Sequence, residues 1–220
     1  MYEYDTETPE FHYFNSIPWC ARHMRGGTNL VVRPPSCRTP LPSGENLLFG
    51  RTLNTAGTIS AMLEIFSDNN SSSKRDDNNN AAAAPPADGD NKDNNNNNNN
   101  NNVITETKCL LALGPDVNGY PATLHGGVVA AILDECIGSL IPINRERGLL
   151  PAGNYFTAYL NTQYRRPTPT GAGALLVRAR LVKVEFAKGK FFAEATLEDA
   201  EGTVLASADA LFVRARGTKL

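Results

Sequence analysis

The sequence has none of the features that mark several large classes of protein. With 21 basic and 23 acidic side chains in 220 residues, its net charge of −2 provides no positive field for nucleic acid. No apolar run approaches the length that spans a bilayer. The N-terminal stretch MYEYDTETPEFHYF lacks the basic and apolar regions of a secretory signal and the arginines of a transit peptide. We therefore expect no nucleic-acid partner, no membrane span and an intracellular protein, cytoplasmic in the first place, with the mitochondrion left open.

Paired cysteines and phosphate-binding loops are also missing. Four widely spaced cysteines, Cys20, Cys37, Cys109 and Cys136, are typical of reduced intracellular thiols rather than of a disulfide framework. Cys20 and Cys37 with His23 lack the fourth ligand and the regular spacing of a zinc site. The chain has neither a GxGxxG loop nor a serine-centred nucleophile elbow. We expect no metal and no cofactor.

Large apolar side chains are almost absent from residues 68–102, which are rich in Asn, Asp, Ser and Ala. Such a segment cannot bury enough surface to offset its ordering entropy, so we predict that it is disordered. It separates two strand-like runs and is interpreted as a long insertion in a surface loop, which a domain tolerates because loop closure costs little extra. Asn-rich tracts can promote self-association, although an expanded neutral spacer is the simpler interpretation.

Residues 1–50 are rich in Pro and Gly and predict an irregular N-terminal arm with one short helix near its start. Phe14 and Trp19 suggest that part of the arm docks on the body of the protein. A separate domain would need a stronger apolar pattern. We therefore assign residues 51–220 to one main domain, which the Asn-rich segment interrupts.

That domain contains six runs with the alternation or the β-branched and aromatic content of strands. The runs are 59–65, 103–113, 154–166, 174–186, 190–199 and 203–215. Short Gly-containing links join the last three runs as hairpins. In the third run, Phe156, Ala158 and Leu160 are predicted to face the core.

Between the second and third runs lies LHGGVVAAILDECIGSL, residues 124–140, which predicts a helix of about 15 residues, or ~22 Å, that ends at Pro142. Because this helix is apolar on nearly every side, it must be enclosed. A mostly antiparallel sheet of about six strands, curled around this single helix, satisfies that requirement. The sequence thus predicts an α+β fold.

Two acids, Asp134 and Glu135, lie within this apolar helix, where a carboxylate is costly unless something uses or pairs it. The Gly126–Gly127 pair at the start of the helix leaves backbone N–H groups that can bind a negative oxygen. Together they form a plausible catalytic device. The alternative for the Gly pair is a tight loop-to-helix turn, and the alternative for Asp134 is an acid at a subunit interface. Glu135 is better explained as a structural or interface acid.

Three segments resemble the hotdog-fold acyl-CoA thioesterases, in the branch that includes the PaaI-like and THEM4-like proteins. They are GPDVNGYPATLHGGVVAAILDECIG (114–138), TAYLNTQYRRPTP (157–169) and KVEFAKGKFFAEATLEDAEGTVLASADALFVR (183–214). The resemblance implies a hotdog fold and the metal-independent hydrolysis of acyl-CoA by a homodimer or a dimer of dimers.

The resemblance also implies roles for particular residues. Asp134 would be the catalytic carboxylate, as a base or as a nucleophile, and the amide of Gly126 or Gly127 would bind the thioester oxygen. His125 would shape that turn; a general base is the less favoured alternative. Thr157 would position the attacking water, unless it is an ordinary strand residue.

Substrate contacts are suggested at the edges of these segments. Asn118 lies near the place where some relatives have Asn or Gln, although the match there is loose. Exposed cations could hold the phosphates of CoA or could simply be solvated strand ends. These cations are Arg165, Arg166, Lys188, Lys183 and Lys190.

Helix geometry adds an independent prediction. Gly127 and Asp134 are seven residues apart and therefore about 10 Å apart along one helix axis. One carbonyl cannot contact both, whereas two antiparallel helices related by a two-fold axis would solve the problem. We therefore predict that the Gly turn of one subunit meets Asp134 of its partner.

Two other functions remain open at this point. A hotdog protein could bind acyl-CoA or a partner without turnover. A hydratase or dehydratase would need a second histidine in the main domain, but His12 and His23 both lie in the arm.

Overall fold

An eight-stranded sheet encloses one long helix. The computed structural model describes residues 3–4, 7–27, 29–68, 103–171 and 173–215. Its strands are β1 (Glu3–Tyr4), β2 (Leu30–Arg33), β3 (Ile59–Ser67), β4 (Glu106–Leu113), β5 (Asn118–Tyr120), β6 (Thr123–Leu124), β7 (Tyr155–Tyr164), β8 (Ala174–Glu185), β9 (Lys190–Glu198) and β10 (Val204–Arg214). Its helices are α1 (Pro9–Asn15), α2 (Pro18–His23), α3 (Gly126–Gly138) and α4 (Leu140–Glu146). The main sheet has the order β1-β2-β3-β4-β8-β9-β10-β7, and β5 pairs with β6 separately.

All six predicted strands are present, as β3, β4 and β7 to β10, and the predicted α+β class is confirmed. The sheet is larger than predicted because the arm adds two strands. β2 pairs antiparallel with β3, and β1 pairs parallel with β2. The proposed division at residue 50 therefore cuts through one continuous sheet. The sequence predicts disorder for residues 68–102. For Asp68 this prediction is wrong, since Asp68 follows β3 and its carboxylate accepts a hydrogen bond from Arg147 at 2.8 Å, whereas residues 69–102 lie outside the described residues.

The arm is more regular than its composition predicts, with two short helices rather than one. α1 and α2 pack on the outer face of the sheet, the face turned away from α3. Phe14 is fully buried there and Trp19 packs against the same apolar cluster, so the predicted docking of both residues is confirmed. All four cysteines are free and buried.

The central helix α3 lies against the inner face of the sheet. Five of its side chains are buried in the main core: Val129, Ile132, Leu133, Cys136 and Ile137. The prediction that the helix ends at Pro142 is wrong. α3 ends at Gly138, and α4 starts at Leu140, so that Pro142 lies in the first turn of α4. Proline is tolerated there because the first N–H groups of a helix have no intrahelical acceptor.

The expectation about apolar runs also needs a correction. Gly126–Glu146, which comprises α3 and α4, has 21 residues and is long and apolar enough to cross a membrane by length and composition alone. Asp134 and Glu135 interrupt the run, which hides it from a search for unbroken apolar residues. In this structure α3 is the core helix of the domain, with five of its 13 residues buried, and a core helix needs a similarly apolar composition.

The predicted inward direction of Phe156 and Ala158 is wrong. Both are exposed, Phe156 by 53%, whereas Leu160 packs against the core as predicted. The cause is an irregularity in the pairing of β7 with β10, where Leu211 pairs with Tyr159 and Phe212 with Thr157. The extra residue, Ala158, reverses the alternation, as a β-bulge does. Thr157 therefore faces α3.

A buried arginine holds the arm to the body. Arg38 is only 8% exposed, and its guanidinium donates to the carbonyl oxygens of Phe49 and Leu53, both at 3.1 Å, and of Ile59 at 2.8 Å. It also donates to the side chain of Asn54. These bonds connect four points of the chain between the arm and β3.

Replacing Arg38 with methionine is expected to lower the free energy of unfolding by about 3 kcal/mol, because buried acceptors lose their donor. The exposed Arg51 provides the control, since Arg51→Met should change stability by less than about 0.5 kcal/mol. Urea denaturation of both variants measures the difference. Equal stabilities would show that Arg38 does not hold the arm.

Candidate active site

The first part of the site is the turn that begins α3, which we call the donor turn (His125–Gly127). His125 is the N-cap residue, and its Nδ1 accepts a hydrogen bond from the Gly127 N–H at 3.0 Å. The Gly126 N–H has no partner among the described residues. Gly119 allows a close approach to the turn, because a Cβ there would lie 3.1 Å from the His125 Cα. The turn therefore presents one unused amide to solvent.

Tyr164 fixes the position of the donor turn on the sheet. Its hydroxyl donates to the Gly126 carbonyl at 2.9 Å, and its ring would lie 3.5 Å from a Cβ at Gly126. The sequence singled out neither contact, because they depend on the end of β7 lying beside the start of α3.

The second part of the site is Asp134, in the middle of α3. Its Oδ1 accepts a hydrogen bond from the Thr157 hydroxyl at 3.0 Å. Burial raises the pKa of Asp134 above its usual value, and the hydrogen bond from Thr157 partly opposes that shift. The structure thus brings together two residues to which the resemblance assigns separate roles in one site.

Glu135 has a different environment. Burial raises the pKa of Glu135, and the nearby Cys37 thiol of the arm partly opposes that shift. Both residues line the same cleft. The absence of a Thr157-like partner among the described residues favours a structural role for Glu135.

A cleft of about 690 Å³ lies beside Asp134 and Thr157. Residues of α3, α4 and β7, with Phe212 of β10, form one side of the cleft. Residues 35–46 of the arm, which we call the arm loop, form the other side. No pattern in the sequence indicated that the arm takes part in the site. A cleft formed by distant segments cannot be inferred from any local pattern.

A second groove of about 570 Å³ adjoins this cleft at Phe156 and Thr157. Lys188, Lys190 and Arg214 contribute three cations to it. Lys188 also pairs with Glu185 at 3.1 Å. We call it the cationic groove; it contains two of the lysines considered from sequence, together with Arg214, which was missed.

The remaining predicted substrate residues lie elsewhere in the same subunit. Arg165 and Arg166 are exposed just beyond the other end of β7, where Arg165 contacts Ser207 and Gln163 on the outer face. Asn118 is exposed near the donor turn, and its Oδ1 accepts a hydrogen bond from Thr170 at 2.5 Å. None of these three residues lines the cleft.

The donor turn and Asp134 belong to the same helix but contact opposite ends of β7. Thr157, near the start of this strand, contacts Asp134, and Tyr164, at its end, contacts Gly126. Seven residues of one continuous helix separate Gly127 from Asp134, or about 10 Å. Within the described ranges, no three His, Cys, Asp or Glu side chains are grouped as ligands for a metal ion.

Residues 122–205 match the family model of the thioesterase superfamily. We call this matched range, which makes up 84 of the 220 residues, the thioesterase segment. It includes the donor turn, Asp134, Thr157 and Tyr164, so both parts of the site lie inside the thioesterase segment. The resemblance and the hotdog fold expected from the sequence are thereby confirmed.

The chain is similar to two curated proteins and one solved structure that illustrate the range of matches. The acyl-coenzyme A thioesterase THEM4 of Bos taurus is 30% identical over 109 residues, which are 49% of this chain and 40% of that protein. The chain thus spans less than half the length of this relative. Verlamelin biosynthesis protein B of a Lecanicillium species is 24% identical over 226 residues and covers 93% of this chain and 87% of its own. A crystal structure of a Bacillus halodurans protein with CoA has 27% identity and a TM-score of 0.43, over 51% of this chain and 70% of that one.

Proposed function

We propose that the protein hydrolyses acyl-CoA thioesters to a free acid and CoA, without a metal or cofactor. The observation that carries this proposal is the hydrogen bond between Thr157 and Asp134 at the cleft, within the thioesterase segment. It holds a carboxylate of raised pKa at the place where a thioester could enter. A half-buried carboxylate is a suitable base or nucleophile for acyl transfer.

Two routes use Asp134 in this reaction. As a base, Asp134 takes a proton from water, the water oxygen attacks the carbonyl carbon, and the C–S bond breaks as the sulfur leaves and takes that proton to form the CoA thiol. As a nucleophile, Asp134 attacks the carbonyl carbon itself, and the C–S bond breaks with release of the CoA thiolate. Water then hydrolyses the resulting anhydride, which regenerates the carboxylate of Asp134, frees the acid and supplies the proton of the CoA thiol. Both routes give the same products and place a negative charge on the carbonyl oxygen.

The Gly126 amide is the better donor for that oxygen. Gly127 already donates to His125, whereas the Gly126 N–H is unused within the described part of the chain. The start of α3 adds its dipole to this donor. His125 then acts as a helix cap, which leaves Asp134 as the proposed base.

The site is proposed to form between two subunits. β7 is the last strand of the sheet, and its exposed Phe156, Tyr159 and Tyr164 are unusual for a free edge. If two β7 strands pair antiparallel about their midpoint, Tyr155 lies opposite Tyr164 of the partner subunit. The partner's Tyr164 holds the partner's donor turn. That turn would then lie two strand residues, or about 7 Å, from Thr157 of the first subunit.

The same pairing explains how cations that lie far apart in one subunit could act at one site. Arg165 and Arg166 of the partner subunit follow its Tyr164 and would approach the cationic groove with Lys188, Lys190 and Arg214. Exposed cations from two chains would there meet the phosphates of CoA. Asn118 lies beside the donor turn of its own subunit and is proposed to contact the substrate together with that turn.

Incubation of the purified protein with acyl-CoAs of short, long and aromatic acyl groups, in the presence of a thiol reagent, tests this proposal. Hydrolysis predicts the stoichiometric release of CoA with at least one of them. Binding of acyl-CoA without any release would instead support a non-catalytic binding protein, and calorimetry distinguishes that result from a lack of binding.

Thr157→Val should move the acid limb of the pH profile of kcat/KM to higher pH. The hydroxyl lowers the pKa of Asp134, so its removal leaves a carboxyl that ionises only at higher pH. Asp134 must be ionised to act, and activity therefore disappears as the pH falls through its pKa. We also expect about fivefold lower activity at pH 7, the effect of one hydrogen bond.

Thr157→Ser keeps the hydroxyl and serves as the control, with a limb close to that of the wild type. If Thr157→Val leaves the acid limb of the pH profile unchanged, Thr157 does not lower the pKa of Asp134.

A further inference from the structure

The cleft beside Asp134 has one wall that is not part of the thioesterase segment. The family match covers residues 122–205, whereas the arm loop precedes it by more than 70 residues. Pro35, Cys37, Leu41 and Asn46 are among the arm-loop residues that line the cleft. One wall of this site is therefore supplied by a segment outside the family match.

The arm loop has the contacts of a fixed wall. The Asn46 side-chain amide donates to the carbonyl oxygens of Ser36 and Thr39, both at 3.1 Å. The Leu41 N–H donates to the Glu45 carbonyl at 3.1 Å, which closes the tip of the loop. Arg38 anchors the base of the loop through its bonds to the carbonyl oxygens of Phe49, Leu53 and Ile59. A wall that is ordered before binding can select a ligand by shape.

The opposite wall is a single stripe along α3 and α4. Asp134, Gly138, Ile141, Pro142 and Arg145 all line the cleft, at the three- and four-residue spacing of one helix face. Eleven residues separate the first from the last, so this wall is about 16 Å long. An extended peptide residue has three backbone bonds and spans about 3.5 Å, so an extended acyl chain advances about 1.2 Å per bond. The wall thus has room for a linear chain of about 13 bonds.

We propose that the arm loop is the specificity-determining wall of the acyl site, and that Leu41 contacts the acyl chain. This inference rests on the proposed thioester hydrolysis. With the carbonyl at Asp134 and Thr157, the acyl chain runs between the arm loop and the stripe on α3 and α4. Leu41 is 42% exposed, a position from which an apolar side chain gains by covering a ligand.

Leu41→Trp tests the proposal, with Leu47→Trp as its matched control. Leu47 lies in the same arm and is 43% exposed, but it does not line the cleft. We measure kcat/KM for lauroyl-CoA and for butyryl-CoA with the full chain. Leu41→Trp should lower the ratio of kcat/KM for lauroyl-CoA to kcat/KM for butyryl-CoA about tenfold. The added bulk displaces the distal part of the longer chain only. Leu41→Phe should lower the ratio less, and it covers the case of a tryptophan variant that fails to fold.

Other results overturn the inference. An unchanged ratio in both Leu41 variants, or an equal loss with both substrates, would show that the arm loop does not select the acyl chain. The same would follow from an equal drop in Leu47→Trp. If the wild-type protein releases CoA from no acyl-CoA, the proposed function itself fails, and that outcome is seen before any variant is compared.

Discussion

Asp134→Asn is expected to lower kcat/KM for the best acyl-CoA substrate by about 10³-fold. The asparagine has the same shape, and its carbonyl oxygen can still accept the hydrogen bond from Thr157. It can neither take a proton from water nor attack a thioester, and a general base contributes about 10²–10⁴-fold to such a reaction. Thiol release over the wild-type pH range measures the loss.

Asp209→Asn provides the matched control. Asp209 is exposed on the outer face of the sheet, where Asn161 donates to its carboxylate at 3.0 Å. The same chemical change at this position should leave kcat/KM within about twofold of wild type. A loss of less than tenfold in Asp134→Asn would remove Asp134 from the mechanism.

Gly126→Pro is expected to lower kcat by about 10²–10³-fold, the usual effect of removing one oxyanion donor. Proline deletes the backbone N–H and adds a ring, which the first position of a helix accepts without loss of a hydrogen bond. The preceding residue must be extended, and His125 already has φ −62° and ψ 132°. Gly126→Ala keeps the N–H and should remain active, since its Cβ would contact Tyr164 only at an ordinary 3.5 Å.

These two variants together test whether the site is shared between subunits. In a mixed dimer of Asp134→Asn and Gly126→Pro, one site would contain both defects and the other neither. Co-expressed in equal amounts, the two inactive chains should therefore regain about a quarter of the wild-type activity, because half of the dimers are mixed and each has one intact site. A mixture as inactive as its parents would place the donor and the acid in one subunit or in no common site.

Patterns within single segments predicted most of the fold. The alternation of Ile59, Ala61, Leu63 and Ile65 with less apolar residues identifies β3, and the length of the apolar run identifies α3. β2 was missed because four residues amid Pro and Gly carry too little pattern, and its formation depends on pairing with β3. The bulge at Ala158 was missed because pairing with β10 creates it.

The same distinction applies to the candidate site. Asp134 and the Gly pair belong to one helix, so their spacing could be read directly from the sequence. Tyr164, Arg214 and the arm loop reach the site through neighbours in space rather than along the chain. Pro142 shows the limit of a local rule, since proline stops a continuing helix but is accepted near the start of a new one.

The two arm helices restrict how larger assemblies can form. α1 and α2 cover apolar side chains of β2, β3, β4 and β8 on the outer face, so a second sheet cannot stack against that half while they remain in place. The other half of this face carries Arg178, Arg180, Glu194 and Asp209 and has a polar surface. Removal of the arm helices would therefore expose an apolar surface on the outer face of the sheet. We expect the shortened chain to aggregate rather than to form an ordered assembly.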